Sequence, residues 1–300
     1  MLLLLPYLVT GLKTPDSYLV EGLEEIEPSF ATFNGSMYAG MVPIEAPDES
    51  DSAYMFWFFA PDELEPDVED TIVIWLNGGP GCTSFNAGLL FETAPVTTGT
   101  VAPGSCCIDK NAPLIPNPHA WTRATNMLYV EQPAGTGFSY GPMPKDEEEL
   151  SAAMHSFLVN FLTIFDDYAN HRIYFVGESY AGMYVPSIAH YIYKANKNPD
   201  TPMHINLAGI GLGNGLIDVT QQTTPMIDYA YFHGLIDSKQ RQHFYNEWEH
   251  CYVPGKEDAM QPEPKPYHSF NVPDEVSWIW TDPDTLLRTV LLLGVFFFVF

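Results

Sequence analysis

One serine in the chain occupies the position of a catalytic nucleophile. The apolar run Ile173–Val176 leads towards Ser179, and the small residues Gly177 and Ala181 lie two positions before and two positions after that serine. A serine on a sharp turn between a strand and a helix has a strained backbone, and only small residues fit at those two positions. Apolar residues at helical spacing begin again at Tyr184. The pattern predicts a nucleophile elbow of the kind that performs acyl transfer.

A glycine-rich turn provides a second part of such a site. The apolar, β-branched run Thr71–Leu76 predicts a buried strand, and it ends at Asn77-Gly-Gly-Pro-Gly81. Acyl transfer places negative charge on a carbonyl oxygen, which two positioned backbone N–H groups can stabilise. In hydrolase folds one donor follows the serine and the other lies in a glycine-rich loop after an earlier strand. We therefore predict Tyr180 and Gly79 as the oxyanion-hole donors.

Four blocks of the sequence together resemble the signature sequences of serine carboxypeptidases. They are Trp75–Ser84, Val130–Tyr140, Gly177–Gly182 and Gly211–Asp218. The resemblance extends over about residues 19–251, and the main departure within the blocks is Thr83, where the family usually has serine. It implies an α/β-hydrolase fold with a mostly parallel central sheet flanked by helices and a helical cap insertion. It also implies a C-terminally truncated chain in which the last strands of that fold are missing.

The resemblance implies an enzyme that releases single residues from the C-termini of peptides and proteins through an acyl-enzyme on Ser179. Such an enzyme must recognise a free carboxylate, and the family residues that do so correspond to Asn77, Glu92 and Glu178, supported by Trp75. Two carboxyl groups can bind a carboxylate if they stay protonated, because like charges at close range cannot all ionise. We therefore expect peptides to bind best in acid. The resemblance implies no cofactor and no metal.

The base that such a serine requires is not recognisable in this sequence. A serine hydroxyl needs a histidine that is oriented by a carboxylate, and in this fold the order is serine, aspartate, histidine. No aspartate follows a strand in the family's manner, and no later histidine lies in a loop like the family's histidine block. The histidines that follow Ser179 in the sequence are His190, His204, His233, His243, His250 and His268. We therefore expect this chain alone to be inactive. Two alternatives stay open, an inactive carboxypeptidase-like binding protein and an acyltransferase of the same family.

Alternating apolar segments predict how the chain is organised. Further strands are expected at Tyr54–Ala60, Asn126–Val130 and Leu207–Leu212, and a long helix at residues 146–168. This alternation predicts a parallel sheet with helices on both faces. By resemblance, residues 19–217 form the hydrolase core and residues 218–285 the cap. Residues 1–18 resemble part of a signal peptide, and residues 286–300 are an atypical apolar tail, shorter than the roughly 20 residues of a membrane span.

Charge, cysteines and one sequon indicate the setting in which the protein works. The chain has 38 acidic and 12 basic residues, a formal net charge of -26, which argues against a nucleic-acid partner and fits an acidic compartment. Four cysteines show no metal-ligand or redox spacing, so disulfides are expected if the chain is secreted; they are Cys82, Cys106, Cys107 and Cys251. Asn34-Gly-Ser36 is the single glycosylation sequon. With the resemblance, these features predict the secretory pathway, and a vacuole, a lysosome or the extracellular space as destination.

Overall fold

A computed structural model describes residues 13–45, 51–66, 68–98 and 113–251 of the protein. The chain divides into two compact units, Met1–Gly215 and Leu216–Phe300. This border lies close to the one predicted between core and cap, and the role of the second unit as a cap stays a prediction. Several predictions concern residues outside the described ones: most of the segment 1–18, the tail 286–300, Cys106, Cys107, His268, and the side chains of His250 and Cys251.

The first unit is built around a six-stranded sheet. The strands of this unit are β1 Gly35–Pro43, β2 Ala53–Pro61, β3 Thr71–Leu76, β4 Val96–Thr98, β5 Leu114–Pro116, β6 Asn126–Val130, β7 Arg172–Glu178 and β8 Leu207–Gly213. Their order in the main sheet is β1-β2-β6-β3-β7-β8, and β4 pairs with β5 in a separate two-stranded sheet. The strands β6, β3, β7 and β8 run parallel, whereas β1 and β2 join antiparallel at one edge. The prediction of a mostly parallel sheet is confirmed.

Helices of the first unit precede or connect these strands. They are α1 Leu23–Ile26, α2 Glu147–Ile164 and α3 Ala181–Ala195, together with a π-helical segment, Phe85–Thr93, and short 3₁₀ turns at Pro15–Ser17, Pro28–Thr32, Trp121–Arg123 and Asp166–Tyr168. The carboxylate of Asp146 caps α2, because it accepts the N–H groups of Glu148 and Glu149 at 3.1 and 2.9 Å. The single helix expected over residues 146–168 is therefore two elements, since the backbone leaves the α conformation at Phe165.

Alternation along the strands produces one apolar cluster on each face of the sheet. On one face Phe56, Ile74 and Phe161 are fully buried among residues of α2 and α3. On the other face Trp75 and Tyr129 are buried with residues of the π-helical segment. Burial of each such side chain stabilises the fold by about 1.5–3 kcal/mol. The carboxyl ends of β3 and β7 therefore project from a rigid support.

The second unit contains two described helices, α4 Val219–Phe232 and α5 Ser238–Cys251. An ion pair joins them, with Arg241 Nη2 2.5 Å from Asp228 Oδ1. The Arg241 guanidinium also lies 4.9 Å from the centre of the Tyr231 ring. Among the helices in the described residues, none is both long and apolar enough to span a bilayer.

Candidate active site

Ser179 lies on the turn between β7 and α3. Its backbone is left-handed, with a φ of 61°, a conformation that side chains other than glycine adopt only where the surroundings enforce it. The Ser179 N–H donates to the carbonyl of Gly213 at 3.1 Å, and the Ser179 carbonyl accepts the N–H of Gly182 at 3.0 Å. A Cβ atom on Gly177 would lie 2.5 Å from the Cβ of Ala181. The backbone has the geometry of an elbow, and the small residues around the serine are required by contact.

The glycine-rich loop after β3 lies directly against this elbow. A Cβ atom on Gly78 would overlap the backbone nitrogen of Tyr180 and would lie 2.7 Å from the carbonyl oxygen of Glu178. Gly79 has a φ of 111°, which favours glycine. Within the described ranges, neither the Gly79 N–H nor the Tyr180 N–H donates a hydrogen bond to the chain. Two uncommitted donors on adjoining segments fit the predicted oxyanion hole.

Two hydrogen bonds fix the remainder of this loop. The Cys82 N–H donates to the Gly78 carbonyl at 3.0 Å, and the Gly81 N–H donates to the hydroxyl of Tyr184 at 3.3 Å. Tyr184 is buried on α3. The sequence indicates Tyr184 only as an apolar position of a helix, because nothing in a helical pattern reveals a hydroxyl that reaches another loop. Cys82 is exposed and forms no disulfide with a described cysteine.

Asn77 is the centre of a hydrogen-bonded cluster beside the elbow. Its Oδ1 atom accepts the indole N–H of Trp75 at 2.9 Å and the backbone N–H of Gly88 at 3.0 Å. Its Nδ2 atom donates to Glu178 Oε2 at 3.2 Å. Because both donors converge on the oxygen, the amide is oriented with its NH₂ group towards Glu178. Asn77 is 5% exposed, so this orientation is held inside the protein.

Glu92 completes the cluster from the π-helical segment. Burial, the nearby charge of Glu178 and a hydrogen bond with Glu178 together raise the pKa of the Glu92 carboxyl to about 7, and burial is the largest cause. A carboxyl with this pKa is largely protonated in mild acid and can donate a hydrogen bond. The structure thus brings Trp75, Asn77, Glu92 and Glu178 together, as the sequence predicts, and places them next to Ser179. Their role in binding a substrate stays a prediction.

A base for Ser179 is not evident in the described part of the first unit. None of the histidines there hydrogen-bonds to Ser179, and His190 and His204 are exposed. His155 differs, because its Nε2 atom is buried without a hydrogen-bond partner and burial lowers its pKa. Its ring lies against Tyr191, with the ring centres 5.5 Å apart. Among the described residues, no group of three or more histidine, cysteine or acidic side chains is arranged to hold a metal ion.

Comparison with known proteins adds a family to this geometry. A family model described as serine carboxypeptidase matches residues 28–271. Among curated relatives, a pheromone-processing carboxypeptidase KEX1 of Candida tropicalis is 36% identical over 233 residues, which are 77% of this chain and 30% of that protein. A probable serine carboxypeptidase, CPVL of Homo sapiens, is 34% identical over 226 residues, which are 74% of this chain and 44% of that protein. This chain therefore spans less than half the length of either relative.

A solved structure shows the same fold. The prohormone-processing carboxypeptidase Kex1Δp of Saccharomyces cerevisiae superposes with a TM-score of 0.67 and 27% sequence identity. The match covers 95% of this chain and 58% of the yeast chain. It confirms the predicted α/β-hydrolase fold, with a mostly parallel sheet flanked by helices.

Proposed function

This chain belongs to the serine carboxypeptidase family, and from that premise we propose that the protein releases C-terminal residues from peptides through an acyl-enzyme on Ser179. The observation that carries the proposal is the cluster of Asn77, Glu92 and Glu178 immediately beside the serine elbow. An enzyme that cleaves anywhere along a peptide does not require a carboxylate-binding group beside its nucleophile. An exopeptidase that acts at C-termini requires one.

In the proposed reaction the terminal carboxylate of the peptide accepts hydrogen bonds from the Asn77 amide and from a protonated carboxyl of the Glu92 and Glu178 pair. The hydroxyl oxygen of Ser179 forms a bond to the carbonyl carbon of the last peptide bond, and the hydroxyl proton passes to a base. The N–H groups of Gly79 and Tyr180 stabilise the resulting oxyanion. The C–N bond then breaks, and the leaving amine takes a proton. Water hydrolyses the acyl-enzyme and restores the serine.

The first prediction concerns the pH dependence of binding. We expect a blocked dipeptide with a free carboxylate to bind about tenfold more tightly at pH 5 than at pH 8, because the protonated fraction of a group with a pKa of about 7 falls by that factor. The sign follows from the raised pKa, since the donating form of Glu92 is present below it and lost above it. Isothermal titration calorimetry with the dipeptide acid and with its C-terminal amide measures this difference.

Two variants make the measurement specific. Glu92→Gln keeps a neutral hydrogen-bond donor at every pH, so the dipeptide acid should bind with similar affinity at pH 5 and pH 8. Glu63→Gln, a change at an exposed residue, is the matched control and should behave like the wild type. The proposal would fail if the wild type bound the acid and the amide equally well at pH 5.

The same titration bears on the alternative of a binding protein. That alternative is supported by one observation, the lack of a histidine hydrogen-bonded to Ser179 in the described part of the first unit. A protein that only binds peptides would prefer the dipeptide acid over its amide, but it would not release the terminal amino acid. Product analysis of the titrated sample by mass spectrometry separates the two functions.

We further propose that the protein passes through the secretory pathway and carries a glycan on Asn34. Asn34 is exposed and directly precedes β1, and the high acidic content supports the same location. In protein secreted by eukaryotic cells, we expect peptide N-glycosidase to reduce the mass and to convert Asn34 to aspartate. Ser36→Thr should keep the glycan and Ser36→Ala should remove it. An unchanged mass in the wild type would contradict the proposal.

A further inference from the structure

The signature block Val130–Tyr140 contains a buried carboxylate that the proposed reaction leaves unexplained. Glu131 follows β6 directly and is 1% exposed. Its Oε1 atom accepts a hydrogen bond from the Thr83 hydroxyl, and its Oε2 atom accepts the backbone N–H of Phe138 at 2.6 Å. A Cβ atom on Gly137, where φ is 55°, would overlap the Glu131 carboxyl group. The loop around Glu131 is therefore shaped to hold this carboxylate in one position.

The Thr83 hydroxyl connects Glu131 to the carboxylate-binding cluster. The same oxygen accepts the backbone N–H of Phe85 at 3.2 Å, and Phe85 is the first residue of the π-helical segment. Three residues later, the N–H of Gly88 donates to Asn77 Oδ1. Near its other end, the segment carries Glu92. One chain of contacts thus extends from Glu131 to both Asn77 and Glu92.

A second contact fixes the residue that directly precedes the segment. The hydroxyl of Ser84 accepts the backbone N–H of Asn77 at 3.1 Å, and Ser84 is 1% exposed. A π-helical segment has poorer internal hydrogen-bond geometry than an α-helix and therefore depends more on contacts at its ends. The bond from Thr83 to Glu131 is one such contact at this end.

We propose that Glu131 is a positioning residue, which acts through Thr83 to hold the π-helical segment so that Asn77 and Glu92 can bind a peptide carboxylate. Glu131 itself touches no substrate, because it is enclosed on all sides. This inference rests on the proposed recognition of a C-terminal carboxylate. It assigns a function to the signature block Val130–Tyr140. In this function the Glu131 carboxyl group sets the geometry of a binding site formed by the two segments that carry Asn77 and Glu92.

Thr83 offers a matched pair of variants to test this role. Thr83→Val keeps the shape of the side chain and removes the hydroxyl, whereas Thr83→Ser keeps the hydroxyl. We expect Thr83→Val to reduce the preference for the dipeptide acid over its amide at pH 5 by about tenfold, within the range for a buried acceptor left without its hydrogen bond. Thr83→Ser should keep the preference within about twofold of the wild type. Calorimetric titration gives the dissociation constants for both ligands.

Two further variants test the same contact by changing Glu131 or the glycine that lies against its carboxyl group. Glu131→Gln replaces the carboxyl group with an amide, and Gly137→Ala displaces the carboxyl group; each should reduce the acid preference as Thr83→Val does. Thermal unfolding of all variants identifies any that fail to fold. Because Thr83 is half-buried, its two variants still test the proposal if the variants at buried positions do not fold.

The outcomes distinguish this inference from the proposed function. A wild type that prefers the acid, with Thr83→Val showing an equal preference, would overturn the positioning role and leave the proposed function intact. A wild type without acid preference would overturn both. An equal loss in Thr83→Val and Thr83→Ser would also contradict the role assigned to the hydroxyl.

Discussion

Replacement of Ser179 by alanine is expected to lower the release of C-terminal residues by about 10⁴-fold or more in a form of the protein that turns over, which leaves only the residual catalysis of the oxyanion hole and of binding. Ser179 is the residue at the apex of the elbow, and removal of its hydroxyl leaves no oxygen to form the acyl-enzyme. Affinity for the blocked dipeptide should stay unchanged, because Asn77, Glu92 and Glu178 are intact. Release of the terminal amino acid at pH 5, followed by chromatography, measures the first effect, and calorimetry measures the second.

A serine on α3 provides the control for this experiment. The Ser187 hydroxyl lies 3.0 Å from the Ser151 hydroxyl, between two helices, so Ser187→Ala should leave both turnover and affinity as in the wild type. Equal turnover in Ser179→Ala and the wild type would remove Ser179 from the reaction. If the wild-type chain releases nothing, the expectation that this chain alone is inactive is right. The unchanged affinity of Ser179→Ala then stays as the measurable prediction.

The second large effect is expected from Gly78→Ala. The added Cβ atom would overlap the Tyr180 nitrogen, so the loop that carries Gly79 must move away from the elbow. Loss of one oxyanion-hole donor lowers turnover by about 10²–10³-fold in other enzymes, and here both donors are disturbed by one atom. In a form of the protein that turns over, we therefore expect at least that loss, measured as release of the terminal amino acid from the blocked dipeptide.

Gly213→Ala is the matched control for this change. Gly213 lies at the same end of the sheet and its carbonyl accepts the Ser179 N–H, yet the nearest atom to an added Cβ would be 3.9 Å away. Alanine at this position should therefore keep near-normal turnover. Thermal unfolding of both variants shows whether the effect of Gly78→Ala is local. A Gly78→Ala protein with normal turnover would place the oxyanion hole elsewhere.

The elbow and the glycine-rich loop could be predicted from the sequence because each is local. In both, an apolar strand leads directly into a turn whose small residues are needed by contacts within a few positions, as with Gly177 and Ala181. The strands Thr71–Leu76 and Asn126–Val130 begin and end where their apolar runs do. Turns and strands that depend on such short-range contacts can be predicted without a structure.

Two elements of the first unit were not predictable in the same way. The strand β1 contains Gly35 and Gly40 and buries only Met37 and Val42, so its sequence lacks an apolar run, and pairing with β2 sets its position. The segment Phe85–Thr93 is π-helical, and its hydrogen-bond spacing does not follow the helical period used to recognise helices.

The cluster beside the elbow could not be predicted from local patterns alone. Trp75, Asn77, Glu92 and Glu178 come from three segments, and only the family resemblance joined them in advance. The pKa of Glu92 depends on how deeply the carboxyl is buried and on its distance from Glu178, and neither quantity is encoded in sequence spacing. Glu131 stood in a recognised block without an evident role, because its contact with Thr83 spans 48 positions of the chain.

The left-handed backbone at Ser179 bears on how such a sequence changes over generations. A non-glycine residue in this conformation costs about 1–3 kcal/mol of stability, and glycine at the same position would recover part of it. A lineage that no longer used the hydroxyl would gain stability by exchanging serine for glycine, with no loss of the neighbouring pocket. We therefore expect descendants that only bind peptides to lose this serine early, and those under selection for turnover to retain it despite the strain.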